Sequence, residues 1–306
     1  MKLQGLIDLH THGFGRYDTK TVDPRDILRI AEFHGRAGIA AILPTIYPGT
    51  IHEMRRNMEA VRKAMEMQRS EGGKRQSSSD HPEGRGRKGA AQPSSCILGV
   101  HLEGPFLNPL RCGALDEGSF LRPTVSSLDR LTEGYEELIK IITLAPELPG
   151  ALRIVERCAE RGLVVSMGHS EATYRQAMNG KAAGAKGVTH LFNAMRPFHH
   201  REPGLAGFGL LDADTYVEVI ADGHHLSPET LKLVFSLKRS DRIILVSDSV
   251  RGASGNGRAV YRTGKVLAGG GATVARSVGF LVGLGLPLKR VVETARANPR
   301  RLLTKK

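Results

Sequence analysis

Two histidines, His10 and His12, stand two residues apart at the end of the first apolar run, LIDLHTHG. A strand period of two sets both imidazoles on one side of the chain, with Asp8 on that side too, and paired imidazoles can converge on one cation. Such a pair also occurs on ordinary surfaces, so the rest of the chain has to decide. Glu103 closes the run CILGVHLEG, His169 closes LVVSMGHS, His190 lies in GVTHLFN, His225 follows YVEVIAD, and Asp248 closes RIILVSD. Imidazole nitrogen and carboxylate oxygen without thiolate suit Zn²⁺, Fe²⁺, Mn²⁺ or Co²⁺. Glu103, His169 and His190 would hold one ion and leave a position for water; His10 and His12 would complete a second site with Glu103 as a bridge, giving one or two ions. Asp248 is then the candidate to take the proton of the activated water, a role compatible with ligation or with capping a helix in VSDSVRG.

These residues need elements that bring them together. Eight short apolar runs alternate with longer amphipathic stretches such as DPRDILRIAEFHGRAG, PGALRIVERCAERG and SPETLKLVFSLKRS. Several of these have Asp, Ser or Pro at the start and Gly at the end, as helix termini prefer. The strands expected are 5–10, 39–45, 96–104, 138–147, 163–170, 187–193, 216–222 and 242–248. Eight such units in 306 residues predict a single α/β domain over 1–306, a TIM (β/α)8 barrel. In that fold, groups at the ends of different strands surround one mouth, which is where the candidate ligands fall. Residues 67–95 lose apolar periodicity to Gly, Ser, Arg and Lys, and are expected to form a disordered insertion loop.

Composition bounds the function classes. Hydrophobic residues make up 40% of the chain, enough for a sizeable core, and no apolar stretch approaches the roughly 20 residues a membrane span needs. No basic-then-apolar leader pattern opens the sequence, so a cytoplasmic location is expected. Three cysteines without a C-x-x-C pair suggest neither a disulfide framework nor a thiolate metal site. The net charge of +13 is spread along the chain, with aromatics at 5% and no Trp for base stacking, so an acidic small substrate is preferred to nucleic acid.

The strings LIDLHTHG, GVHLEGPFLNP, SMGHSEATY, VTHLFNAMRPFHHREPG, IADGHHLSPE and ILVSDS, in this order, resemble the N-acetylglucosamine-6-phosphate deacetylases of the amidohydrolase superfamily. The resemblance runs from about residue 5 to 303. It implies a metal-dependent barrel enzyme that hydrolyses N-acetylglucosamine 6-phosphate to glucosamine 6-phosphate and acetate, with a phosphorylated N-acetyl amino sugar and a second copy of the chain, in a homodimer, as its partners. It assigns Glu103, His169 and His190 as metal ligands and Asp248 as general base and acid. The family's phosphate contacts fall on Asn193, the backbone of Ala194, Arg201 and His225.

The chain departs from that family in three places. After HLEGPFLNP it has Leu115 where relatives carry a His near the substrate carbonyl, a role that His101, His199, His200 or His224 would have to fill. Its segment near strand eight is LAGGGATVA instead of a Ser-containing one. The small β-domain that relatives build around the barrel is expected to be lacking. The rival expectations are a metal-dependent phosphoesterase or nuclease of the TatD type, and a barrel that binds phosphosugars without turnover.

Overall fold

Each of the eight apolar runs contributes a strand in a computed structural model, which describes residues 3–77, 93–258, 260–261 and 266–304, without the side chains of 71–77. The strands are β1 (Leu6–Thr11), β2 (Ile39–Ile46), β3 (Val100–Glu103), β4 (Ile139–Leu144), β5 (Val164–Met167), β6 (Gly187–Val188), β7 (Tyr216–Ile220) and β8 (Ile243–Val246). They pair in chain order, and every pair is parallel. Between β8 and β1 the Asp248 amide donates to the His10 carbonyl at 2.9 Å, and Thr11 and Ser249 form a parallel bridge. The sheet thereby closes on itself at its C-terminal end.

The strands are almost wholly buried, as strands covered on both faces must be. Ile7, Leu9, Leu43, Ile141, Ile244 and Val246 form an apolar cluster together with Leu302. Their neighbours Leu6, Ile42, Leu102, Ile142 and Val165 belong to a second cluster with the helices. Among the described residues the helices are α1 (Pro24–Arg36), α2 (Ile51–Ser77), α3 (Val125–Thr132), α4 (Ala151–Glu160), α5 (Tyr174–Ala182), α6 (Gly204–Leu211), α7 (Pro228–Leu237), α8 (Val274–Gly283) and α9 (Leu288–Leu303). Two starts read from sequence hold, since Asp23 caps α1 and Ser227 caps α7, each followed by Pro; on α5 the structure adds a reciprocal capping box of Thr173 with Gln176.

Three local expectations change. The run 96–104 is two strands, because Gly99 turns the backbone at φ 141° where a Cβ would meet the Leu138 carbonyl at 2.3 Å. Cys96–Ile97 pairs with β2 before β3 begins. The loop expected from residue 67 instead continues as helix α2 to Ser77. Gln68 on that helix donates to the Ser95 carbonyl at 2.9 Å and accepts from the Ile97 amide at 3.2 Å, which holds the two ends together. The part of that expectation over 78–92 lies outside the described residues. Finally, Asp8 does not share a side with His10. Pairing of Asp8 with Ile42 is followed by Thr11 with Pro44, so β1 takes up one extra residue, and Asp8 faces His34 of α1 at 3.8 Å.

Candidate active site

The strand ends bring five predicted ligands together. His169 and His190 each hold Nε2 3.1 Å from Glu103 Oε1, and the two nitrogens stand 3.1 Å from one another. The other carboxylate oxygen, Glu103 Oε2, lies 3.1 Å from His12 Nε2, which in turn is 3.2 Å from His10 Nε2. Asp248 Oδ1 completes this second group at 3.5 Å from His10 and 3.6 Å from His12. Glu103 therefore reaches both groups, with Oε2 toward His12 and Oε1 toward His169 and His190 and also 3.4 Å from His10 Nε2, as a bridging carboxylate does. His169, His190 and Asp248 all adopt positive φ (47°, 29° and 47°), an uncommon conformation for non-glycine residues that turns each side chain just past its strand.

The donors are prepared for a cation. His169 Nδ1 lies 2.9 Å from the Arg111 carbonyl and His10 Nδ1 lies 3.2 Å from Glu218 Oε2, so an acceptor behind each ring orients it with Nε2 toward the centre. The Arg111 loop is braced by the ion pair of Arg111 with Glu171, which also meets Arg196 at 3.3 Å. Two imidazole nitrogens and one carboxylate oxygen crowded at 3.1 Å from one another fit a divalent metal better than a self-contained hydrogen-bond network. A further trio, His10, His101 and Glu218, is also close enough to bind an ion. It acts as a supporting layer instead, because both nitrogens of His101 are engaged, with the Leu9 carbonyl at 3.1 Å and Thr143 Oγ1 at 2.8 Å.

Electrostatics follow the same division. Burial pushes the Glu103 carboxyl up, yet the charges of His169, His12 and His10 outweigh it and hold it well below the usual carboxylate range. Burial opposes protonation of His10, but Asp248, Glu103 and Glu218 raise it well above an ordinary imidazole. His190 is likewise raised by Glu103 and Asp248 against the effect of burial. His101, buried and facing the positive His10, is pushed down to about 4 and stays neutral.

Above the ligands lies a cavity of about 210 Å³. Asn193, Ala194 and His225 line it, whereas Arg201 does not and is exposed on the turn after β6. His225 Nδ1 is held by Asp222 Oδ2 at 2.8 Å, and Asn193 Nδ2 donates to the carbonyls of His190 and Leu191, both at 3.2 Å. Leu115 forms part of the wall. None of the four alternative histidines lines that wall: His101 lies beneath it, and His224 Nε2 is 3.0 Å from the Gly257 carbonyl. Gly269 and Gly270 have a packing role, since a Cβ would meet the Asp248 carbonyl at 2.6 Å and the Ser247 carbonyl at 2.0 Å respectively.

Sequence reading missed Glu218, Asp222 and Tyr47. Glu218 was signalled by a carboxylate inside the otherwise apolar YVEVI, and Asp222 by its spacing of three from His225. Tyr47, one residue past β2, stacks on His12 with centroids 3.9 Å apart and planes at 18°, a contact that no local pattern reveals. Burial, with Asp18, Asp248 and Glu103 nearby, pushes its phenol well above the usual range.

The chain is similar to curated enzymes. It is 31% identical to the N-acetylgalactosamine-6-phosphate deacetylase of Escherichia coli O157:H7, over 81% of this chain and 59% of that protein. It is 41% identical to the N-acetylglucosamine-6-phosphate deacetylase of Bacillus subtilis, over 57% of this chain and 45% of that one. It thus spans about half to three-fifths of the length of these relatives. Among solved structures, the N-acetyl-D-glucosamine-6-phosphate deacetylase of Mycobacterium smegmatis matches with TM-score 0.83 and 28% identity over 98% of this chain and 78% of that one. The Thermotoga maritima enzyme matches with TM-score 0.81, also at 28% identity, over the same shares of each chain. The amidohydrolase family model covers residues 1–265, which contain every ligand in the cluster. On that match and this barrel, the chain belongs to the amidohydrolase family.

Proposed function

We propose that the chain catalyses metal-dependent hydrolysis of the N-acetyl group of N-acetylglucosamine 6-phosphate, giving glucosamine 6-phosphate and acetate, as a cytoplasmic homodimer. The observation that carries this reading is the two-sided Glu103 carboxylate, with His169 and His190 on one oxygen and His12 on the other. The relatives named above are deacetylases of 6-phosphorylated N-acetyl amino sugars, which favours amide over phosphoester hydrolysis. The complete ligand cluster likewise favours turnover over a purely binding barrel.

Glu103, His169 and His190 would hold one ion, and His10, His12 and Glu103 a second, with Zn²⁺, Fe²⁺, Mn²⁺ or Co²⁺ suited to the donors. When bound, the metal supplies a Lewis acid and brings the pKa of its water to about 7. Asp248 Oδ1 would take a proton from the attacking water and return it to the departing nitrogen, which needs it because an amide anion is a very poor leaving group. Asn193, the Ala194 backbone and His225 surround the part of the cavity suited to the phosphate. Arg201, exposed outside its own cavity, is suited to reach the cavity of the partner subunit in a dimer, where its planar fork would pair with phosphate oxygens.

The direct test is acetate release from N-acetylglucosamine 6-phosphate, its galactosamine epimer and the unphosphorylated sugar, with metal content measured alongside. Glu103→Ala and His169→Ala should lose both metal and activity, and Arg201→Ala should raise KM for the phosphorylated sugars alone. Cleavage of phosphate esters without acetate release would refute the reading, and an unchanged KM in Arg201→Ala would refute the phosphate assignment.

A further inference from the structure

Hydrolysis of an amide places negative charge on the former carbonyl oxygen, and a hydrogen-bond donor aimed there lowers the barrier. Most donors lining the cavity are already committed. The histidines 12, 169 and 190 belong to the ligand cluster, and Asn193 donates to two backbone carbonyls. His225 is tied to Asp222. Leu115 on the same wall carries no donor at all.

Tyr47 differs from each of these. Its ring lies flat against His12, which fixes the phenol beside the ligand cluster, and its hydroxyl makes no hydrogen bond among the described residues. It lines the metal-facing cavity and also a neighbouring one of about 320 Å³ that shares Ala114, Leu115 and Ala268 with it, so it stands on the partition between the two. A phenol is protonated at neutral pH and donates without changing charge. β2 otherwise delivers no polar side chain to this cavity.

We propose that Tyr47 is a catalytic residue that donates its O–H to the substrate amide oxygen as that oxygen becomes negative; this rests on the deacetylase reading. Hydroxide forms a bond to the carbonyl carbon and the C=O π pair moves onto oxygen, where the Tyr47 hydroxyl meets it. As the C=O reforms, the C–N bond breaks and the nitrogen takes the proton held by Asp248. Tyr47 gives up no proton in this sequence, so atoms and charge balance without it.

The test uses the metal-loaded chain and Tyr47→Phe, which keeps the ring on His12 and removes only the hydroxyl. Expected are a fall in kcat of about 10²-fold with KM within about twofold. Affinity should fall by about the same factor for an analogue carrying a tetrahedral phosphonamidate in place of the acetamide, with affinity for glucosamine 6-phosphate and metal content unchanged. An unchanged kcat overturns the proposal, as does equal weakening of analogue and product, or loss of metal. If Tyr47→Leu loses activity while Tyr47→Phe retains it, the ring alone matters and the donor role is overturned. If the unaltered chain neither releases acetate nor binds the analogue, the deacetylase reading itself falls and takes this role with it.

Discussion

Replacing Glu218 by Gln should loosen one metal ion and leave the other. Glu218 is buried in β7, and its Oε2 lies 3.2 Å from His10 Nδ1, fixing the ring so that Nε2 faces His12 and Glu103. His169 takes its support from the Arg111 carbonyl and has no contact with Glu218. A hydrogen bond to a charged group contributes about 1.5–3 kcal/mol. At about 1.4 kcal/mol per tenfold that equals about 10- to 100-fold in affinity, matching what carboxylates behind metal-bound imidazoles are worth. Gln retains an acceptor but loses the charge, so the lower end, about tenfold, is expected. The assay is metal content after dialysis against graded chelator at pH 8. Two ions per chain should fall to one at lower chelator concentration in Glu218→Gln than in the unaltered chain, and the ion that remains should behave as the single ion of His10→Asn. Because His10 is raised well above an ordinary imidazole, protons compete for its Nε2 and the weaker ion should be lost more readily as pH falls. Release of both ions together, or retention of both at the unaltered chelator concentration, would refute the reasoning.

Gly270→Ala should lower stability by about 2 kcal/mol or more and reduce kcat, because the Cβ meets the Ser247 carbonyl at 2.0 Å and the Gly270 amide holds the Asp248 carbonyl at 2.7 Å. Urea denaturation and acetate release check it, and a variant equal to the parent in both would show that this segment does not position Asp248. His34 is pushed down by burial to about 4, so it is neutral in the fold; its contribution is complete above pH 6.5 and is lost as pH falls through 6.5 toward 4, where the unfolded chain binds the extra proton. His34→Gln removes that titration, so the stability difference between variant and parent should shift in the variant's favour by about 2 kcal/mol from pH 6.5 to pH 5. Denaturation at the two pH values reads the shift, and parallel pH profiles would contradict it.

Strand order and the ligand ring were legible because both are written locally. A run such as LVVSMGHS carries its apolar strand and its terminal polar residue together, and a parallel barrel places every such terminus at the same mouth. Helix starts at Asp23 and Ser227 were legible for the same reason, since a cap is a contact within one turn. The break at Gly99 was hidden because a carbonyl from the next strand's approach forces it. The extension of α2 to Ser77 was hidden because Gln68 finds its partners at Ser95 and Ile97, far along the chain.

The sequence by itself determined the barrel, the chemical identity of the donors and their arrival at one rim, because apolar period, caps and residue type act over a few residues. Only the tertiary structure decided which oxygen of Glu103 serves which histidines, that an extra residue in β1 parts Asp8 from His10, and that Glu218 and Tyr47 hold the second pair of imidazoles in place. Those are distances of about 3 to 4 Å between residues separated by tens to hundreds of positions, and they exist only once the sheet has closed on itself.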